Sequence, residues 1–263
     1  LFTKYDALGR VVYTGYYNTS TLDPIPNRTD LQTIIDNRPN NVEETTPVNT
    51  PVNINGTNCY YSNSIFPNTN IDLLTINYYD NYSFNTILPL ATTPIFGENI
   101  SPKTQGLATG SKVRVLGTNN WITTFTQYDK KARAIYVASK NEYLNTTDIV
   151  KTDYNFIGNV LKTESSHTLN TNTPIVTVNE FIYDHQNRLL TQQQTINGSS
   201  PEVIVNNTYD ELGQLVKKGV GNNARMPLQN IDYAYNIRGW LKEINKVAQN
   251  NNDLFSFKLN YNT

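Results

Sequence analysis

Cysteine occurs once in the 263 residues, at Cys59, so no internal disulfide can staple the chain, and cysteine usage says little about compartment. Cys59 reads as a small packed side chain rather than a reactive thiol. Histidine is nearly as scarce: His167 and His185, even with Cys59, fall short of a zinc site in number and spacing. Charged residues make up 16% and the formal net charge is −1, which leaves no electrostatic footprint for nucleic acid or an anionic membrane. No apolar run approaches the roughly 18 residues that a membrane helix needs. No P-loop and no serine or cysteine nucleophile motif is present, and nothing in the residues asks for a cofactor. No signal peptide is visible. Leu1 is not an initiator methionine, and the first and last residues fall inside strand-like runs. The chain therefore reads as an internal piece of a longer polypeptide, with any targeting signal outside it.

Tyrosine is what the sequence has instead: 18 of them, with nine Phe and two Trp. Tyrosine joins a wide apolar face to a polar tip, which suits sheets wetted on one side. Asn and Thr are also abundant, as in the turns and exposed strand faces of an all-β protein.

One seven-residue phrase recurs. Tyr209-Asp210-Glu211-Leu212-Gly213-Gln214-Leu215 has relatives starting at Tyr5-Asp6, Tyr128-Asp129 and Tyr183-Asp184, and weaker ones at Tyr154-Asn155 and Tyr235-Asn236. From Tyr128 onward the tyrosines are spaced by 26, 29, 26 and 26 residues, a period that means an array of small structural units. Each copy spells a β-hairpin turn. The Asp or Asn after the tyrosine can bond backbone N–H groups two positions on. Gly9, Gly158, Gly213 and Gly239, or Asn187, stand where a short hairpin loop needs positive φ. Ala132 takes that place in one copy, at a cost of roughly 1–2 kcal/mol, so either that turn is distorted or its neighbours impose the conformation. Six residues past each tyrosine come Val11, Ala134, Val160, Leu189, Leu215 and Leu241, as a core-facing return strand requires.

These units divide the chain. Residues 1–16 form the first hairpin, 17–120 an insertion between repeats, 121–245 the tandem repeats, and 246–263 the start of a further one. In the insertion, Leu31, Ile34 and Ile35 predict a short helix near 29–37 with Thr or Asp as N-cap. Residues 37–58, rich in Pro, Asn and Thr, predict an extended surface excursion. Tyr78-Tyr79-Asp80 looks like another copy but lacks Gly and Arg at the repeat offsets, so it is not counted. Pro89, Pro94 and Pro102 exclude a long central strand over 83–104. The hairpins should pair edge to edge into one long antiparallel sheet, one face apolar and tyrosine-lined, the other rich in Thr, Gln and Lys. Alternation puts Val203, Val205 and Tyr209 on one face.

Catalysis finds little footing. Glu43-Glu44 and the repeat aspartates invite comparison with glycosidase carboxylates, but those aspartates are turn formers by position and the glutamates lie in a polar excursion. Trp121, Trp240 and the strand tyrosines could stack on sugar rings if they lined a groove. Trp240 replaces the usual Arg of its turn and is the best candidate for a surface contact.

The phrase resembles the YD repeat of RHS-repeat proteins, whose consensus runs Tyr-Asp-x-x-Gly-Arg-Leu. The resemblance covers the first residues and roughly 121–245, and Leu-Phe-Thr-Lys-Tyr-Asp, Trp-Ile-Thr-Thr and Arg-Gly-Trp-Leu look like the long RHS proteins of Bacteroidota. It implies a ribbon of hairpins coiled into a hollow shell around a C-terminal toxin or other effector, secreted or at the cell surface. This segment would then be wall, not an enzyme, its partners the rest of the shell and the enclosed domain. The alternative is a cell-surface adhesin or carbohydrate-binding module, with glycans as partners.

Overall fold

A computed structural model describes residues 1–20, 22, 26–37, 45–84, 88–222, 226–247 and 253–261. The chain is mostly β. Fifteen strands form one antiparallel sheet in nearly sequential order: β1 (Phe2–Tyr5), β2 (Val11–Tyr17), β5 (Ile71–Tyr79), β6 (Ala108–Arg114), β7 (Trp121–Tyr128), β8 (Ala134–Asn141), β9 (Thr146–Tyr154), β10 (Val160–Leu169), β11 (Ile175–Tyr183), β12 (Leu189–Ile196), β13 (Glu202–Tyr209), β14 (Leu215–Val220), β15 (Gln229–Tyr235), β16 (Leu241–Ile244) and β17 (Phe257–Lys258). The two strands that the order skips, β3 (Pro47–Ile54) and β4 (Thr57–Tyr61), make a separate hairpin. The helix, α1 (Arg28–Asp36), is capped by Asn27 rather than Thr or Asp. Its Oδ1 accepts from the N–H groups of Thr29 and Asp30, and Asp30 accepts from the Asn27 N–H in return. That reciprocal box, rather than burial, holds the helix, since none of its residues is buried.

The chain divides into two compact units, residues 1–149 with 167–173 and residues 150–166 with 174–263. In the first, one face of the sheet is covered. Alternate residues of β7 (Trp121, Thr123, Phe125 and Gln127) are buried, as a strand with one packed face requires. The cover comes from two excursions. The first includes β3 and β4, which turn at Asn55-Gly56 with both residues at positive φ. This hairpin stands where sequence composition suggested an open excursion, and Ile54, Cys59 and Tyr61 bury beneath it. Alternation is weak there because Pro and Asn occupy the outward positions. The second excursion, between β5 and β6, contributes Phe84, Leu88 and Ile95. Aromatic rings join the excursions to the sheet: Tyr61 stacks on Tyr78 at 5.5 Å and Tyr78 on Phe84 at 4.0 Å, nearly parallel. The phenol of Tyr13 donates to the Tyr61 carbonyl at 3.0 Å.

In the second unit the only buried apolar side chain among the described residues is Val203. The expected sorting of Gln to one face and aromatics to the other does not hold here. Phe181 lies directly opposite Gln192, Asn179 opposite Gln194, and Gln192 opposite Val205, so amides and apolar side chains share a face. A bulge in β13 pairs Val203 with Gln193 and Val205 with Gln192, and this breaks the alternation that would have put both valines together.

Gly110 shows how closely the second excursion is fitted. A Cβ there would stand 2.2 Å from Phe84 Cζ and 2.8 Å from the Thr124 carbonyl oxygen. Gly110→Ala must push Phe84 off Tyr78, and we expect a loss of about 1–3 kcal/mol in chemical denaturation.

Candidate functional site

The repeated turn has the same geometry at each copy. The N–H of Asp6 donates to the Arg10 carbonyl and that of Gly9 to the Asp6 carbonyl, at 3.0 and 2.9 Å, and equivalent pairs recur at Asp129, Asn155, Asp184, Asp210 and Asn236. The side chain completes the turn. Oδ1 of Asp6 accepts from the N–H groups of Leu8 and Arg10, Asp129 from Lys131 and Arg133, and Asp184 from Gln186 and Arg188, all within 3.0 Å. Asn155 and Asn236 accept in the same way. Where Arg stands five residues past the tyrosine, its Nε donates to the other carboxylate oxygen at 2.6–2.7 Å. Ala132 is forced into left-handed backbone at φ 59°, beside glycines of equivalent turns at φ 73° (Gly9) and 83° (Gly213). The turn is thus not distorted. Asp129, almost fully buried, imposes the conformation through its bonds to Lys131 and Arg133.

The tyrosines do something that the turn alone does not require. Closing each hairpin, the tyrosine pairs with the residue six positions on (Tyr5 with Val11, Tyr128 with Ala134, Tyr183 with Leu189, Tyr209 with Leu215, Tyr235 with Leu241), and a bulge follows at once. A bulge interrupts the ladder and leaves backbone groups to be satisfied otherwise. The carbonyl at the sixth position is taken by the phenol of the next hairpin's tyrosine. Tyr183 donates to Val160, Tyr209 to Leu189, Tyr235 to Leu215 and Tyr261 to Leu241, at 2.8–2.9 Å. Asn207 Nδ2 adds a second bond to the Leu189 carbonyl at 3.0 Å. Side chains at the fifth position stack on the same rings: the Arg188 guanidinium lies 4.5 Å from the Tyr209 ring centre.

This pattern identifies a repeat that the sequence hides. Tyr79 pairs with Ala108 across a bulge, its phenol donates to the Val11 carbonyl, and the Ala108 carbonyl accepts from Tyr128. Asp80 N–H donates to Leu107, and Asp80 Oδ1 accepts from the Gly106 N–H, with Gly106 at φ 82°. Strands β5 and β6 are therefore a hairpin of the repeating type, with residues 81–105 inserted inside its turn. Discounting Tyr79-Asp80 for want of a following Gly is corrected by this register: the Gly is Gly106. Arg10 reaches across to this hairpin, its guanidinium paired with both Asp80 oxygens at 3.0 and 2.6 Å and stacked on Tyr79 at 4.3 Å.

The other candidate residues are placed as follows. Trp240 is half exposed, but its ring packs against Tyr261 at 5.4 Å with the Arg238 guanidinium 5.3 Å away, so it fills the stacking place that Arg188 fills on Tyr209. Trp121 is buried and its indole N–H donates to Thr57. Cys59 is fully buried, and desolvation pushes its thiol up to about 11. His167 pairs with Asp148 at 2.6 Å, and His185 stands in a turn. Among the described residues no three His, Cys, Asp or Glu side chains gather as metal ligands. Glu43 and Glu44 lie outside the described residues. The chain matches no known protein-family model and no curated protein.

Two outcomes test these contacts between hairpins. Tyr209 and Asn207 donate to one carbonyl, so Tyr209→Phe and Asn207→Ala should each cost about 0.5–1.5 kcal/mol. The double variant, which strips both donors from that carbonyl, should cost more than their sum in urea denaturation. The second outcome concerns acid. The Arg10 guanidinium, and secondarily the Gly106 N–H, hold the Asp80 carboxyl below its ordinary value against the opposing effect of burial. A carboxyl that titrates lower when folded adds stability fully present above the unfolded value near pH 4 and lost as the pH falls through the folded one. Melting curves from pH 7 to pH 2 should therefore show a shallower acid loss in Asp80→Asn than in the wild type.

Proposed function

We propose that this chain is a stretch of the wall of a hollow β-shell of the RHS, or YD-repeat, type, which encloses a C-terminal toxin or other effector until delivery outside the cell. The observation that carries the reading is the clasp: the carbonyls of Val11, Ala108, Val160, Leu189, Leu215 and Leu241 are each capped by the tyrosine of the next hairpin, so the unit is built to continue. A binding module needs one groove made well, whereas this chain repeats one joint along its length. Open, twisted sheets seldom exceed about ten strands without curling, and a sheet of fifteen strands is the material from which a coiled wall would be made. The excursions that cover one face of the first unit give that stretch a thick wall, and the uncovered second unit a thin one.

The carbohydrate-binding alternative rested on Trp240, whose ring is engaged by Tyr261 and Arg238. The wall reading has a direct test. The complete product of the gene that encodes this chain, examined by cryo-electron microscopy, should be a closed hollow particle whose C-terminal segment resists added protease until the particle is opened. A solid or extended particle, with the C-terminal segment digested at once, would overturn it.

A further inference from the structure

The rim of the first unit at the Asn55-Gly56 turn carries polar groups that neither the sheet nor its cover uses. Two open cavities meet there on Asp72 of β5. One, of about 430 Å³, is walled by Asn18, Asn55, Asn68 and Asn70, with Ile54 and Ile71 buried among them. The other, of about 330 Å³, lies between residues 117–119 and Tyr16 of β2, which pairs directly with Asp72 in the ladder. Both sizes fall in the range of small-molecule sites.

Asp72 is held from two sides. Its Oδ1 accepts from the Asn55 side chain at 2.7 Å and faces the Arg114 guanidinium at 3.7 Å. Arg114 is itself fixed, Nε donating to the Thr118 carbonyl at 2.8 Å and Nη2 to Asn119 Oδ1 at 2.5 Å. That leaves Asp72 Oδ2 as a fixed acceptor with no partner among the described residues. Other atoms of Asn18, Asn55 and Asn68 are engaged, but Asn18 Nδ2, Asn55 Oδ1 and Asn68 Oδ1 make no bond among the described residues. The same holds for the whole side-chain amide of Asn70 and the Tyr16 hydroxyl.

These groups select a ligand by their chemistry. The carboxylate at the junction repels anions, and Arg114 already balances its charge, so a cation gains little. An apolar molecule would strip water from donors and acceptors and leave them unpaired. A hydroxyl suits both kinds of group, because it donates one bond and accepts others, and neighbouring hydroxyls can meet a carboxylate and an amide together. The Tyr16 ring, 50% exposed, offers an apolar face to the C–H side of a sugar ring. The geometry points to a binding site for a neutral oligosaccharide in this cleft, with Asp72 at its centre, Asn55 and Asn70 bonding hydroxyls on one side and Tyr16 stacking on the other. The cleft belongs to the first excursion and its flanks, not to the repeated turn, and it shares no residue with the surroundings of Trp240. The inference goes beyond the wall reading and does not depend on what the chain encloses.

The experiment presents the full chain to an array of neutral, sulfated and uronate-containing oligosaccharides, and measures the affinity of those retained by titration calorimetry. Circular dichroism identifies the folded preparations. The wild type should bind neutral oligosaccharides, with little response to salt. Tyr16→Ala and Asp72→Ala should each weaken that binding about tenfold or more. Asn70→Gly should weaken it as well, and because glycine accepts the φ of 52° at this position, the loss reports the missing amide and not a strained loop. Trp240→Ala should bind as the wild type does. Retention of no neutral oligosaccharide overturns the proposal, and so does stronger retention of the sulfated or uronate-containing ones. Binding left intact in all three cleft variants, or lost in Trp240→Ala, would place the site elsewhere and overturn it too.

Discussion

The carbonyl oxygen six residues past each tyrosine is the constraint on which the arrangement depends. A bulge stands beside it and interrupts the regular ladder. An unpaired backbone carbonyl away from water costs on the order of 1–3 kcal/mol, so a donor must come from somewhere. It comes from the next hairpin, as the phenol of Tyr183, Tyr209, Tyr235 or Tyr261. A hairpin of this kind is finished only by its successor. Stability in such a chain is a sum of units and joints between neighbours, and the tyrosine is the joint.

The same register explains how the two units differ. The third residue before the closing tyrosine is Ile76 or Phe125 in the first unit, both fully buried under the excursions. In the second unit the same place holds Lys151 and Glu180, which pair with Glu164 and Lys162 at 2.7 and 2.9 Å. At this place the covered face carries apolar side chains, and the uncovered one carries ion pairs. The backbone pattern is indifferent to the change, because the turn, bulge and clasp use none of these side chains.

Much of the sheet was legible because its signal is a period and a turn chemistry, both local. Strands β7 (Trp121–Tyr128) and β11 (Ile175–Tyr183) each end on the tyrosine that opens the repeated phrase for that reason. The sorting of faces was not legible. A bulge changes which neighbours share a face without leaving a mark in composition, as Val203 and Val205 show. Neither was the β3–β4 hairpin, whose Asn55-Gly56 turn was the available clue. The stacking role of Trp240 was hidden for a related reason. Its partner Tyr261 stands 26 residues after Tyr235, the interval of the repeat, too near the end of the sequence for the rest of the phrase to mark it.

The interrupted hairpin shows why the period failed between Tyr5 and Tyr128. The motif there is split, Tyr79-Asp80 in front and Gly106-Leu107-Ala108 behind, and both halves hold their ordinary places. Lengthening a flexible loop is cheap. Going from the two residues between Asp6 and Gly9 to the twenty-five between Asp80 and Gly106 adds about 2 kcal/mol of closure entropy. Burying even one of Phe84, Leu88 and Ile95 recovers about 1.5–3 kcal/mol. The hairpin can therefore open its turn to a covering loop and still close on the same pair, because Tyr79 and Ala108 do the closing and the loop does not. Any other turn of the array could accept such a loop on the same terms, provided the loop brings apolar side chains and the face beneath it is apolar to receive them. That second condition separates the first unit from the second. Lys151 and Glu180 would have to be desolvated beneath a cover, at a cost that a short loop could not offset.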